Sequence, residues 1–321
     1  METMSKKTKP LCLVTGGAGF IGSNLVAALL AEGYRVRVFD NLSTGKKSHL
    51  ENCLSEIEWV QGDLKNDQDV RKAVWGVNSI FHTAAVRAVL RSVDHPSETN
   101  DINVTGTLRL LIASKEAGVK RFIFSSSSSV YGDTKKFPCQ EEDLPRPQSP
   151  YAASKIMGEY YARIFSSLYG LETVSLRYFN VFGPHQNPES RYSAVIPIFI
   201  DCLLKRKSPE IHWDGKQSRD FSYIDNVVHG NLLAMKTPGI SGEVFNIACH
   251  EEFSVLDIFE GIKKILRIEG VKPFFQPKRA GDVRRTLADI RKAKRLLGFR
   301  VQTRFYEGLK KTVDWFLQVR K

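Results

Sequence analysis

Tyr151 and Lys155 stand four positions apart, downstream of a run of serines from Ser125 to Ser129. On a helix, side chains at that spacing lie one above the other on a single face. An ammonium held beside a phenol favours the phenolate and lowers a pKa that is ordinarily about 10. A phenol poised in this way can pass a proton to and from an alcohol or sugar oxygen. A serine hydroxyl at the end of the apolar, strand-like Arg121–Phe124 can hold the same oxygen. Tyr-x-x-x-Lys also arises by chance, so the pair gains weight only from its company.

That company is a nucleotide-type turn. The apolar run Leu11–Thr15 leads into Gly16, Gly17, Gly19 and Gly22, then into a helix pattern from Ser23 to Leu30. Gly16, Gly19 and Gly22 are evenly spaced, and Gly17, Gly19 and Gly22 also satisfy G-x-G-x-x-G. Such a turn lets backbone N–H groups approach a pyrophosphate at the positive end of a helix dipole. A second strand-like run, Tyr34–Asp40, ends in an acid that can accept hydrogen bonds from ribose hydroxyls and repel a 2′-phosphate. No arginine follows at once, although Lys46 and Lys47 come soon after, and the balance favours NAD over NADP. Glycines alone are a weak signal; strand, glycines, helix, strand and acid in register are a strong one. Asp63, after a third strand around Glu58–Val60, could meet the adenine amine or be an ordinary turn aspartate.

The elements that must position these groups alternate. Strands are expected at Ser79–His82, Lys120–Ser125 and Thr173–Tyr178, and helices at Asn103–Ala117 and Tyr151–Tyr169. This order implies right-handed crossovers and a doubly wound parallel α/β sheet, with ligands beyond the carboxyl ends of the strands. The glycine turn, Asp40, Asp63, the residues after His82, the serines and Asn180 all fall at such ends. Residues 132–150 read as a surface loop. Beyond Pro184 the pattern loosens, which places a nucleotide-binding domain at 1–182 (1–9 a solvated tail) and a smaller mixed α/β domain at 183–321 that could interleave with it.

The 321 residues can bury a large core, and no run approaches the roughly 20 apolar residues of a membrane helix. The five cysteines are scattered, which points to neither zinc nor a disulfide framework and to the cytoplasm. The net charge of +12 is uneven: residues 261–321 carry 18 Lys and Arg against 5 Asp and Glu, a net of +13. That segment fits an anionic substrate or a solvated face; it has no interleaved aromatic platform and no nucleic-acid motif. Neither nucleic acid nor a membrane is expected as a partner.

Seven motifs in order give the chain a family likeness: Thr15–Gly22, Asp40–Gly45, Phe124–Gly132, Ser149–Lys155, Arg177–Pro184, Ser218–Asp225 and Arg279–Asp282. From Leu11 to about Phe316 the sequence resembles the extended short-chain dehydrogenase/reductase family with its Rossmann fold, and within it the nucleotide-sugar 4-epimerases. The resemblance implies tightly bound NAD, transient oxidation of a UDP-sugar at C4, return of hydride to the other face of the 4-keto sugar, a homodimer through the helices near Pro96 and Tyr151, and a place in polysaccharide biosynthesis. The helix at Ile102–Ala117 carries apolar residues on more than one face, compatible with an interface or with plain burial.

Carried over by position, Tyr151 is the acid/base, Lys155 holds the nicotinamide ribose, and Ser127 is the catalytic hydroxyl. Gly16, Gly19, Phe20, Ile21, Gly22, Asp40, Asn41, Ser43, Thr44, Gly45, Asp63, Leu64, Ala84, Ala85, Asn103 and Tyr178 complete the NAD shell. Arg87, Ser128, Asn180, Val195, Arg219, Arg279, Asp282 and Thr286 form the sugar-nucleotide side. Two arginines suit a diphosphate because guanidinium forks match phosphate oxygens.

Family comparison also separates sister activities. The 4,6-dehydratases carry Asp-Glu where this chain has Ser128 and Ser129, and glucuronate-nucleotide decarboxylases keep a glutamate near Ser129. Glucuronate epimerases tend to have threonine at the place of Asn180, yet share a hydroxyl-rich run. Thr286 falls where glucose-only epimerases are bulky, leaving room for an N-acetyl group, whereas Arg87 stands where acetylated-sugar specialists have a small residue. UDP-N-acetylglucosamine, with or without UDP-glucose, is the expected substrate, and UDP-glucuronate the alternative. A non-catalytic NAD-binding module is the rival from another class; such proteins usually lose the Tyr or the Lys.

Overall fold

A computed structural model describes residues 9–87, 89–187, 194–278 and 283–319. The first half alternates: β1 (Leu11–Thr15), α1 (Phe20–Ala31), β2 (Arg35–Asp40), β3 (Ile57–Gln61), α2 (Asp67–Val74) and β4 (Ser79–His82). Then come α3 (Val89–Asp94), α4 (Pro96–Asn100), α5 (Thr107–Glu116), β5 (Arg121–Ser127), α6 (Pro150–Tyr169) and β6 (Glu172–Tyr178). The second half holds β7 (Val181–Phe182), α7 (Val195–Leu204), β8 (Glu210–His212), β9 (Ser218–Asp220), β10 (Ser222–Tyr223), α8 (Ile224–Lys236) and β11 (Glu243–Ile247). It ends with β12 (Glu252–Ser254), α9 (Val255–Leu266), β13 (Phe274–Gln276), β14 (Arg285–Thr286), α10 (Arg291–Leu297) and α11 (Phe305–Gln318).

Seven parallel strands form the main sheet in the order β11-β6-β5-β4-β1-β2-β3. Both faces are covered, so β1 is buried at all five positions and reads as a continuous apolar run. Its side chains alternate between two cores. Cys12 and Val14 join Leu25, Val26 and Leu29 of α1 on one face, while Leu11 and Leu13 join Val70, Leu110 and Leu111 on the other. The strand order reverses between β1 and β4, and a ligand crevice opens at such a switch point.

Two features differ from the expectations, and a third bears on how the two halves of the chain meet. The helix expected from Asn103 begins at Pro96 as α4 and passes into α5 through a π-helical turn, Asp101–Gly106, that contains Asn103. The seventh strand, β11, comes from residues well past 183 and pairs with β6, so the later half of the chain contributes to the nucleotide-binding sheet. The loop at 132–150 is not wholly a surface feature. Buried Cys139 bridges Ala288, and the carbonyl of Cys139 accepts from Asn246 Nδ2 at 3.0 Å.

Candidate active site

β1 delivers the glycine turn to the switch point. Gly16 has φ +69°, and a Cβ there would lie 2.8 Å from the backbone of Ala84, so only glycine fits between the ends of β1 and β4. A Cβ on Gly22 would stand 2.2 Å from the Gly16 carbonyl oxygen. α1 starts immediately after Gly19 with no side-chain cap and no acid in its first turn, leaving its N–H groups for an anion. Phe20 and Ile21 form that first turn, and Ile21 also lines the cavity that holds Tyr151. Asp40, at the end of β2, accepts from the Ala18 N–H at 2.9 Å and from the Leu42 N–H at 2.7 Å, which fixes its carboxylate against the glycine turn. Asn41 Nδ2 donates to Asp63 at 3.0 Å. Ser43 and Thr44 are exposed, Gly45 packs on Ala18, and Leu64 is buried. This cradle fits a dinucleotide: a place for pyrophosphate that any side chain would fill, with a carboxylate beside it.

Asn103 shows what the π-turn accomplishes. Its side chain exchanges hydrogen bonds with Val86, accepting at 2.8 Å and donating at 3.0 Å, and donates to Ser154 of α6 at 3.0 Å. The extra residue of a π-turn re-aims a side chain, and such turns frequently sit at functional sites. It pins the Ala84–Val86 segment over the cradle and ties it to the helix that carries Tyr151.

Beneath lies His82, buried between the Thr15 hydroxyl at 2.7 Å and the Thr107 hydroxyl at 2.9 Å. Burial, aided by the Lys155 charge, lowers its pKa from 6.5 to about 3. The unfolded chain therefore takes up a proton on this ring as pH falls below about 6.5 while the folded protein refuses it. Stability present at neutral pH is lost toward pH 3, about 2 kcal/mol of it between pH 7 and 5 from this residue. Urea-unfolding midpoints at those two values should show the loss, and His82→Gln should flatten it.

Ser149 caps α6 by accepting from the Ala152 N–H at 3.1 Å, and Pro150 opens the first turn. That places Tyr151 at the mouth of the crevice and Lys155 one turn deeper. Tyr151 and Ser127, at the end of β5, face the same cavity, with the serine hydroxyl placed to stabilise the phenolate. Ser127 Oγ accepts from the Ser129 hydroxyl at 3.0 Å. The expected effect of Lys155 on the phenol is not what the geometry gives. Its ammonium donates to the Ser125 carbonyl at 2.8 Å and lies 5.8 Å from the Tyr151 ring centre. Burial pushes the Tyr151 phenol up, opposed by the Ser127 hydrogen bond and the Arg87 charge, and burial brings Lys155 down to about 8.

A cavity of about 430 Å³ opens over this group, lined by Ile21, the serines Ser126–Ser129, Gln148, Tyr151, Tyr178, Asn180, Arg219 and Thr286. Asn180 has a positive φ of 33°, a region Asn tolerates better than most residues. Its amide donates to the Asp220 carbonyl at 3.0 Å and the Thr286 hydroxyl at 3.2 Å. The Tyr178 hydroxyl is turned into the core, bonded to Ser125 and Asn231. Arg87 is exposed, with its charge reaching Tyr151. Val195 lies elsewhere, in an adjoining cavity that shares Asn180 and Arg219. Arg279 and Asp282 fall outside the described residues.

Sequence reasoning missed the supports. Glu159 and Arg177, each 3% exposed, form a paired hydrogen-bonded ion pair at 2.9 and 2.7 Å, with the Ser126 hydroxyl also donating to Glu159. Asp220 is fully buried, accepting from the N–H groups of Cys249, His250 and Ala288; burial still pushes it up to about 7. A carboxylate among apolar residues on α6 was the one signal that could have exposed the pair. Among the described residues no cluster of His, Cys, Asp and Glu could hold a metal, and no helix is long and apolar enough to cross a membrane.

Residues 12–248 match the model of the NAD dependent epimerase/dehydratase family. A UDP-glucose 4-epimerase of Mycolicibacterium smegmatis is 37% identical over 308 residues, 95% of this chain and 97% of the relative. The UDP-N-acetylglucosamine 4-epimerase of Methanobrevibacter ruminantium, solved with UDP-N-acetylmuramic acid, superposes with a TM-score of 0.92 at 38% identity, over 97% of this chain and 99% of that one. The UDP-glucuronic acid 4-epimerase of Bacillus cereus, solved with UDP-glucuronic acid and NAD, gives 0.90 at 33%, over 96% and 99%. The match spans the glycine cradle, the Tyr151–Lys155 pair and the strand that Asn180 follows, and on that extent the chain belongs to the NAD-dependent epimerase/dehydratase family.

Proposed function

We propose that this protein is a UDP-sugar 4-epimerase, carried above all by Ser127 and Tyr151 facing one cavity next to a dinucleotide cradle. Gly16, Gly19, Gly22 and the first turn of α1 hold the pyrophosphate of NAD, and Asp40 its adenosine ribose. NAD, when bound, supplies reversible hydride chemistry. Ser127 orients the sugar 4-oxygen, and Tyr151 takes its proton and later returns it. Lys155 presents its ammonium to the nicotinamide ribose. Asn180, Arg219, Arg279, Asp282 and Val195 hold the nucleotide diphosphate. Where a dehydratase needs acids to eliminate water, Ser128 and Ser129 have only hydroxyls, and Ser129 is engaged with Ser127. Residues 183–321 form the nucleotide-sugar half, lending β11 to the sheet.

Incubating the purified protein, without added NAD, with UDP-N-acetylglucosamine, UDP-glucose and UDP-glucuronate separately tests this reading. One C4 epimer is expected; no epimer from any of them, even with NAD supplied, would refute it.

Thr286, small and in the cavity wall, favours the N-acetylated pair. Thr286→Tyr should cut kcat/KM for UDP-N-acetylglucosamine by about 10-fold or more relative to UDP-glucose, on the scale of filling a side-chain-sized space. Equal effects on both sugars would remove the pocket argument. A second reading, UDP-glucuronate, draws on Arg87, whose charge reaches Tyr151 and could meet a carboxylate.

The active form is a homodimer. Met157, Tyr160, Ile164 and Leu168, 39 to 70% exposed, form an apolar stripe along one face of α6, with exposed Ile112 on α5. A monomer in sedimentation equilibrium at micromolar concentration would exclude it. The cysteines of the structure are all free thiols, which fits the cytoplasm, and the epimer would feed glycosyl transfer in polysaccharide biosynthesis.

A further inference from the structure

Phe274 and Phe275 are neighbours on β13, 46% and 55% exposed. Successive strand residues point to opposite faces, so neither face of this strand is covered at its start. β13 pairs with β8 alone, in a two-stranded parallel ribbon, which leaves one edge of β13 open as well. Apolar residues scattered singly over a surface are ordinary; two adjoining phenylalanines at an open edge mark an interaction site.

The path of the chain surrounds them with positive charge. Both strands of the ribbon start at one end, where the Phe274 N–H donates to the Pro209 carbonyl at 3.1 Å. α7 ends at Leu204, shortly before Pro209, and α9 ends at Leu266, shortly before Phe274. The two helices pack on each other, so both helix ends and both connecting segments converge on the start of the ribbon. Residues 205–210 and 263–278 carry eight Lys and Arg against two Glu. Lys205 and Lys263 are paired with Asp201 and Glu260, and Lys278 lies over the Trp213 ring. The other five, Arg206, Lys207, Lys264, Arg267 and Lys272, are exposed and form no ion pair among the described residues. Helix C-termini attract cations, which accounts for some of this charge but not for phenylalanines left in water.

Cations around an exposed aromatic pair match a surface that is anionic at its face and apolar beneath. A second copy of this chain would bring the same five cations against these and be repelled. Single-stranded nucleic acid stacks its bases on a shared aromatic platform, which rings on opposite faces of a ribbon do not make. We propose that the β8–β13 ribbon docks the protein onto a bilayer rich in anionic phospholipid. Phe274 and Phe275 enter the boundary between headgroups and acyl chains, and the five cations rest among the lipid phosphates. The docking is peripheral, since no helix among the described residues is long and apolar enough to cross a membrane. It replaces the expectation that no membrane is a partner. That expectation came from the lack of a long apolar run, which reports on spanning, whereas surface docking needs only exposed groups. It also gives a role to part of the basic excess in residues 261–321.

Cosedimentation of the NAD-loaded, full-length protein with lipid vesicles tests it. Vesicles of equimolar phosphatidylcholine and phosphatidylglycerol should bind at least about 30-fold more tightly than phosphatidylcholine alone, since each cation near an anionic surface contributes about 5-fold. Added salt should weaken that binding through screening. Phe274→Ser with Phe275→Ser should weaken it by about 10-fold, the scale of two half-exposed rings leaving water. Its thermal midpoint and its turnover of UDP-sugar in solution should stay at the wild-type values. Arg206→Glu with Lys272→Glu should weaken binding by about 25-fold or more. The same reversal at exposed Lys294 and Arg295 of α10, a helix packed on β11 instead, should change it by less than about 3-fold.

Equal binding to the two vesicle types would overturn the proposal. So would a double serine variant that binds as tightly as wild type, because only diffuse attraction of a basic protein would remain. An equal loss from the α10 reversal would do the same. Binding of a single-stranded oligonucleotide without binding of vesicles, weakened by the same substitutions, would give this face to nucleic acid instead. The comparison of vesicles on wild type stands even if a variant does not fold. None of these readouts depends on turnover, so the docking and the epimerase reading fail separately.

Discussion

Tyr151→Phe should lower kcat by about 10³-fold or more, within the range of a lost general acid/base, while NAD and UDP-sugar binding stay within about 3-fold of wild type. The phenol shares the cavity with Ser127, and it is the group there placed to carry a proton to a sugar oxygen. The ring itself packs as before, because phenylalanine keeps its shape and the backbone of α6 is capped by Ser149 independently. Turnover, calorimetric binding and the thermal midpoint measured on one preparation separate chemistry from folding. A variant that keeps more than about a tenth of wild-type kcat would assign the proton transfer elsewhere. Ser127→Ala should cost less, about 10- to 100-fold, because the Ser129 hydroxyl already stands 3.0 Å from that of Ser127.

Glu159→Ala should destabilise the fold by about 3–5 kcal/mol, the usual consequence of stranding one member of a buried ion pair. The Arg177 guanidinium, 3% exposed, would lose both carboxylate contacts and keep only the Glu141 carbonyl at 3.1 Å and the Tyr131 ring face at 4.8 Å. β6 carries Arg177, and β5 beside it ends in Ser127, paired in register with Tyr178, so the damage should reach the active site as well as the core. Urea denaturation gives the midpoint shift. The double variant Glu159→Leu with Arg177→Met supplies the control, since two well-packed apolar residues replace an ion pair at little cost. If the double variant is no more stable than Glu159→Ala, the loss is not that of an uncompensated charge.

Much of this site is legible in local patterns of residues. The continuous apolar run of β1, the glycines after it and the acid at the end of β2 are short-range signals, each set by residues within a few positions of one another. Tyr151 and Lys155 share a helix face for the same reason. What the sequence does not disclose is the destination of the Lys155 ammonium. The four-residue spacing brings it near the phenol, but the Ser125 carbonyl, on β5, holds it 5.8 Å from the ring centre. The sequence pattern puts a helix start at Asn103, too late, because a π-turn has no distinctive composition; the fold reveals it through the bonds Asn103 makes to Val86 and Ser154.

The sequence by itself determined the doubly wound parallel sheet, the glycine turn after β1 and the helix face that Tyr151 and Lys155 share, since periodicity, turn chemistry and helix spacing are properties of neighbouring residues. Only the tertiary structure decided which distant segments complete them. Glu159 meets Arg177 from the adjoining strand, Asp220 gathers N–H groups from residues 249, 250 and 288, and β11 joins the sheet beside β6. Those contacts depend on which faces pack together across the whole chain. Burial then selects the polar partners, because a carboxylate or guanidinium removed from water persists only where another segment happens to supply its hydrogen bonds.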